Sequence, residues 1–278
     1  PLAPAGQTTA DLDHLSETVT RTVTYVTEDQ DGSNRQSAGI ADQTDRLHFA
    51  RKGTINLVTG ETSLEDWTAQ DGTSFVALEN PVKKGYVVVA EESTDAVSSD
   101  LTKAGEHTGI HADAADITDT VIYRPVGAYR ISYATGKEPA HAQKEITYLN
   151  DPTNPTAIAS PTDTLPYVEG LEPKDAHGQV LNLVDPLDET KGYLLPSPES
   201  PTADTAITYA ITKGSVRVRF LTEGGDTDLQ EAQDLATEVD FGTKYTSEAP
   251  TEITKDGRIY HLVGHRADSA DPSGTVTK

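Results

Sequence analysis

Two histidine pairs, His107 with His111 and His261 with His265, have the spacing that on a helix turns both rings to one face, where they can hold zinc. Glu106 and Asp113 flank the first pair as further candidate ligands. Gly109 and Gly264 interrupt the pairs, however, and the second lies in a β-like stretch, where four residues span about 13 Å. One ion cannot bridge that distance in the second pair, and with Gly109 interrupting the first, neither pair is read as a metal site. Asp29-Gln30-Asp31-Gly32-Ser33-Asn34 alternates oxygen ligands around a bend glycine, as a calcium loop does, but lacks the downstream bidentate glutamate. A hairpin turn accounts for the same residues, and Asp226 and Asp228 are read alike.

Nucleophilic and acid–base catalysis find no better footing. Serine, histidine and aspartate are all present, yet no Gly-X-Ser-X-Gly stands in a strand-turn-helix setting. A glycosidase needs paired carboxylates, but 45 acidic residues make chance pairs unavoidable and their number uninformative. No catalytic residue, metal or cofactor is therefore expected. The aromatics remain. Tyr86, Tyr193 and Tyr260 follow a shared position and are read as core packing, as is Trp67, the only tryptophan. Tyr129, Tyr148 and Tyr167 lie near proline-rich stretches, where they either stack on sugars or pack on proline.

The elements that must position these residues recur along the chain. Arg21-Thr22-Val23-Thr24-Tyr25-Val26, Tyr129-Arg130-Ile131-Ser132-Tyr133 and Val216-Arg217-Val218-Arg219-Phe220-Leu221 each alternate apolar with polar residues, the pattern of a half-buried strand. Two of the three lead to a proline and then Gly-Tyr, at Gly85-Tyr86 and Gly192-Tyr193, with a looser echo in Gly257-Arg258-Ile259-Tyr260. The same two close on Thr120-Val121-Ile122-Tyr123 and Ala206-Ile207-Thr208-Tyr209. Recurrence on this scale predicts an array of modules. The expected divisions are 1–17, a linker or the tail of a preceding module; 18–125, the first β module; 126–211, a proline-rich second; and 212–278, a smaller third. Ser93 to Lys103 is read as a helix or a loop, and Asp228 to Val239 as an amphipathic helix, since Leu229, Ala232, Leu235, Ala236 and Val239 recur at spacings of three and four.

A net charge of −23 argues against nucleic acid or an anionic membrane surface as partner. No apolar run approaches the ~20 residues needed to span a bilayer. Hydrophobic residues make up 35%, so each core must be thin. The absence of cysteine removes disulfides and thiolate sites and leans toward a bacterial surface protein or a cytosolic one. With no methionine and Pro1 at its start, the chain is read as a segment of a longer polypeptide.

The ordered series from Arg21–Val26 through Gly60, Asp66-Trp67-Thr68 and Phe75-Val76 to Pro81, Gly85-Tyr86 and Val121-Ile122-Tyr123 resembles the mucus-binding (Mub) repeats of lactobacillar cell-surface adhesins. Ile146-Thr147-Tyr148, Asp151-Pro152-Thr153-Asn154-Pro155-Thr156 and Lys191-Gly192-Tyr193 are similar to the second half of such a repeat, and Val216 to Thr277 resembles a smaller MucBP-type module. The resemblance implies a mainly β (α+β) fold with little helix: an elongated, monomeric rod of ubiquitin-like β-grasp modules. It further implies an extracellular adhesin tethered to a Gram-positive cell wall, binding host mucin glycoproteins or glycans and, in some members, immunoglobulin. A structural spacer is the alternative. The resemblance carries over no catalytic or ligand-contact residue.

Overall fold

A computed structural model describes residues 14–278. Their secondary structure is β-strand, with a turn of 3-10 helix at Glu189–Lys191 and no α-helix among the described residues. Most of the expected linker lies outside the described residues, and the first strand already begins at Ser16. The chain forms two compact units. One comprises the described residues up to Ala128 with Thr147–Ser160 and Pro198–Asp204; the other comprises Tyr129–Ile146, Pro161–Ser197 and Thr205–Lys278.

The first unit is built on β1 (Ser16–Thr27), β2 (Gln43–Ala50), β3 (Thr68–Ala69), β4 (Tyr86–Ser93) and β5 (Ile117–Pro125), in the order β3-β2-β1-β5-β4. The opening and closing strands, β1 and β5, run parallel at the centre, with Arg21 opposite Ile117 and Tyr25 opposite Val121. Alternation decides which face is buried. Val19, Val23 and Tyr25 point into the core while Thr18, Thr20, Thr22 and Thr24 face out. Two apolar clusters result, one around Val19, Leu47, Phe49 and Ile117, the other around Val23, Tyr25, Val121 and Tyr123. Each fully buried aliphatic side chain contributes about 1.5–3 kcal/mol of transfer free energy. Between Ser93 and the short strand Lys103–Ala104 the chain is a loop, not a helix: Ser98 N–H is held by Glu91, and Asp100 holds Thr102. Serine and aspartate there satisfy the backbone locally in turns, which competes with helix formation.

The second unit repeats this design in β6 (Ala128–Tyr133), β7 (Glu145–Thr147), β8 (Leu171–Lys174) and β9 (Thr205–Ile211), ordered β7-β6-β9-β8. The opening and closing strands, β6 and β9, are again parallel and adjacent. Pro173 sits on the edge strand β8, where its missing N–H breaks no ladder. Matched details mark the two sheets as one pattern. Thr24 and Thr120 bring their hydroxyls within 3.2 Å, and Ser132 and Thr208 within 3.1 Å. The Tyr123 hydroxyl donates to the Pro81 carbonyl and the Tyr209 hydroxyl to that of Pro166, both at 2.6 Å. Burial pushes both hydroxyls well up from the ordinary tyrosine range, so they remain protonated donors. Tyr123→Phe and Tyr209→Phe should each cost about 1 kcal/mol, measured by urea denaturation, because the freed proline carbonyls can recover water.

The remainder of the second unit holds a long antiparallel ribbon, β10 (Lys213–Leu221) with β11 (Asp228–Asp240), and a hairpin of β12 (Glu252–Lys255) and β13 (Arg258–His261). The helix expected over Asp228 to Val239 is thus a strand. The pairing shifts register at four places, so that the 13 residues of β11 lie against 9 of β10. Each shift inserts one extra residue, which stretches the inward repeat from two toward three. Leu229 is buried and Ala232, Leu235, Ala236 and Val239 half-buried on that stretched period. Bulges in a strand imitate a helical spacing. The last apolar residue, Val276, is only 1% exposed, and its N–H donates to the Thr243 carbonyl.

Candidate functional site

The buried charges of the first unit gather where β1 and β5 run side by side. Arg21 and Asp119 occupy inward positions in these strands and have no exposed surface. One Arg21 terminal nitrogen donates to the carbonyls of Val76 and Gly105, and the other pairs with Asp45. The same guanidinium lies 5.2 Å from the centre of the Phe75 ring. Asp119 faces His107, whose Nε2 is 3.0 Å from each carboxylate oxygen, while Nδ1 is 2.8 Å from Asp95. Gly105 threads between these groups: a Cβ there would stand 3.0 Å from Asp119 Oδ2 and 3.1 Å from Arg21 Cδ. Its N–H is held by Glu91 at 2.9 Å.

This geometry gives His107 a structural task. Its two nitrogens are spent on carboxylates at opposite sides of the ring, joining β5 to the loop that follows β4. Carboxylates so placed cannot share an ion with the imidazole, and His111 is exposed. His261 and His265 likewise turn to separate partners, Glu252 at 3.1 Å and Asp271 at 3.4 Å. Among the described residues no group of three or more His, Asp or Glu is placed to hold a metal ion. The sequence does carry a signal for the buried network, in the parity of its strands. Arg21 shares the inward register of Val19, Val23 and Tyr25, and Asp119 that of Ile117 and Val121.

The Asp29–Asn34 segment is a turn that consumes its own oxygens. Asp31 accepts from both the N–H and the hydroxyl of Ser33, and the Asn34 amide donates to Asp29. The Ser33 hydroxyl holds the Asp31 carboxyl below its usual range. Directly before the turn, buried Glu28 takes Arg35 and Arg124, and the Arg35 contact likewise lowers its pKa.

Most candidate aromatics are packed. Tyr193 is 1% exposed, while Tyr86 and Tyr260 are half-buried. Tyr129 and Tyr148 are buried, with hydroxyls on the carbonyls of Pro196 and Ala203, so their rings are closed to sugar; Tyr167 is half-buried. Trp67 is half-buried against the Val19 cluster with Arg51 4.2 Å above its ring. The middle of the outer face of the first sheet is instead lined with hydroxyls. Thr22 stands opposite both Thr44 and Thr118, and Thr24 opposite Thr120. The central strand thus presents methyl and hydroxyl groups without a charge.

Residues 10–127 match the family described as the Muc B2-like domain. Among solved structures, the chain is similar to Mub-RV at 28% identity, covering 40% of this chain and 53% of that one, with a TM-score of 0.29. It is similar to a type 2 repeat of the mucus binding protein MUB from Lactobacillus reuteri at 24% identity, covering 44% and 54%, TM-score 0.28. It is also similar to a mucin-binding domain from Streptococcus pneumoniae at 19% identity, covering 40% and 92%, TM-score 0.28. The matched region spans about half the length of the first two. No curated protein matches. Residues 10–127, less than half of the chain, are therefore similar to the Muc B2-like domain.

Proposed function

We propose that this chain is a non-enzymatic segment of an extracellular bacterial surface adhesin, binding mucus glycoproteins through their glycans. The observation that carries this reading is the match of residues 10–127 to the Muc B2-like domain. The recurrence of one strand pattern in both units adds to it, because linked weak contacts raise effective concentration without new chemistry. In this reading the modules 18–125, 126–211 and 212–278 are successive members of the array, on a protein held at the cell wall by other regions. Retention of the chain on immobilised purified mucin, above that of an unrelated acidic β protein, is the expected result; equal retention overturns the reading. Burial of Tyr129, Tyr148 and Tyr193 favours a second reading, a spacer that projects other domains. A spacer can be exchanged in the parent adhesin for an unrelated rod of equal length without loss of adhesion, whereas a binding segment cannot.

A further inference from the structure

In a chain of net charge −23, cations that keep donors unspent are informative. Two of them line one open cleft of about 640 Å³ in the second unit, walled by β10, the start of β11 and the end of β12. We propose that this cleft binds the acidic group of a saccharide, a carboxylate or a sulfate ester, with Arg217 and Lys255 as its cationic contacts.

The strand pattern creates the site. Val216, Val218 and Phe220 turn toward the interior, so Arg217 and Arg219 emerge together on the exposed face, about 7 Å apart along the strand. Their surroundings give them different tasks. Arg219 forks onto Asp228 with two contacts of 3.0 Å, which fixes its position and neutralises that carboxylate. Arg217 approaches Asp234 with Nε at 3.4 Å, and its terminal nitrogens make no hydrogen bond among the described residues, which leaves the outer edge of its guanidinium open. Lys255 donates only to the main-chain carbonyl of Asp228, with no carboxylate in ion-pair range among the described residues. Planar and bidentate, the open edge of Arg217 matches a carboxylate or sulfate, and the Lys255 ammonium adds a point charge.

The rest of the cleft suits a sugar better than a bare ion. Gln230 and Glu231 offer acceptors for hydroxyls, and Ala232 an apolar patch for a C–H face. Glu231 also repels a second negative charge, which favours a single acidic group flanked by hydroxyls over a polyphosphate or nucleic acid. The overall charge does not forbid this. At physiological salt the screening length is about 8 Å, so the distant carboxylates are largely screened; close by, Arg217, Arg219 and Lys255 face Asp228, Glu231 and Asp234, so recognition comes from the open donors of Arg217 and Lys255 and not from a net local charge.

This assignment rests on the mucus-glycan reading and is tested by titrating the intact chain with sialyllactose, lactose and a 6-sulfated N-acetyllactosamine. An acidic saccharide should bind at least about tenfold more tightly than lactose, and whichever acidic arm binds identifies the carboxylate or the sulfate as the recognised group. Arg217→Gln and Lys255→Gln should each weaken that binding about tenfold, and raising the salt should weaken it further. Lys137→Gln, in an exposed turn of the same unit, should change nothing. Equal affinity for lactose and both acidic sugars, or an Arg217→Gln/Lys255→Gln double variant that binds as the parent does, overturns the cleft. If that double variant is still retained on mucin like the parent, the cleft fails and the adhesin reading stands. If the parent binds the acidic sugar but not mucin, the adhesin reading fails and the cleft stands.

Discussion

Arg21→Met lowers the stability of the first unit by about 3 kcal/mol. Methionine replaces much of the apolar stem, so the loss isolates the guanidinium. Three acceptors lose a donor, but unequally. Asp45 is half exposed and the Val76 carbonyl belongs to an exposed residue, so both recover water. The Gly105 carbonyl is enclosed and does not, and fully buried Asp119 loses a cation beside Gly105. Arg21 Nε is itself buried without a partner, and removing that orphan returns part of the cost. This places the expected loss at the lower end of the range for breaking a buried ionic contact, about 3–5 kcal/mol. Trp67, the only tryptophan, packs on the Val19 cluster, so its fluorescence in a urea titration reports this unit. Asp45→Asn should cost below about 1 kcal/mol, as a half-exposed pair does. Arg21→Lys should not rescue the loss, because one ammonium cannot reproduce the planar fork. Equal losses in Arg21→Met and Asp45→Asn would assign the effect to the exposed pair and sink the argument from burial.

The strands that open and close each repeat were legible because alternation, β-branching and a buried face coincide in them. Thr120–Tyr123 and Ala206–Tyr209 fall inside the strands that close the two sheets. The proline-rich segments were legible for the opposite reason: Asp151–Thr156 and Pro196–Pro201 lack the N–H groups a central strand requires, and no strand forms there. Two features escaped. The helical spacing in Asp228–Val239 came from bulges, which depend on the length of the facing strand and cannot be read from one strand alone. Spacing alone pairs His107 with His111, its neighbour in sequence, whereas its partners Asp95 and Asp119 lie twelve residues away on either side. The candidate cleft was half visible. Val-Arg-Val-Arg-Phe announces two arginines on one exposed face, but Lys255 reaches them only through the docking of a separate hairpin.

The Gly-Tyr echo that first linked the repeats leads to the largest effect expected in the second unit. Gly192 has φ +88° and ψ −160°, a region that essentially only glycine occupies. A Cβ at this position would also lie 2.2 Å from the Leu165 carbonyl oxygen and 3.3 Å from its carbon. That carbonyl cannot retreat, because Leu165 is paired with Tyr193 and both side chains are enclosed. Nor can Gly192 move away, since its N–H donates to Glu189 at 3.0 Å and its carbonyl accepts from Val184 at 2.9 Å. Strain and clash therefore add, and Gly192→Ala should cost about 4 kcal/mol or more. Gly178 separates the two contributions: its φ is +80°, but an added Cβ would meet nothing within 4 Å. Gly178→Ala should cost only the strain, about 1–2 kcal/mol. Thermal unfolding followed by tyrosine near-ultraviolet circular dichroism measures both, since Tyr193 and Tyr209 are buried in this unit. Equal losses would reduce Gly192 to strain alone. Gly85, which precedes Tyr86 in the first unit, has φ +80° and the same open surroundings as Gly178. Gly85→Ala should accordingly behave like Gly178→Ala, so the two copies of the motif share a glycine of positive φ, while the close approach of a second strand makes one copy far less tolerant than the other.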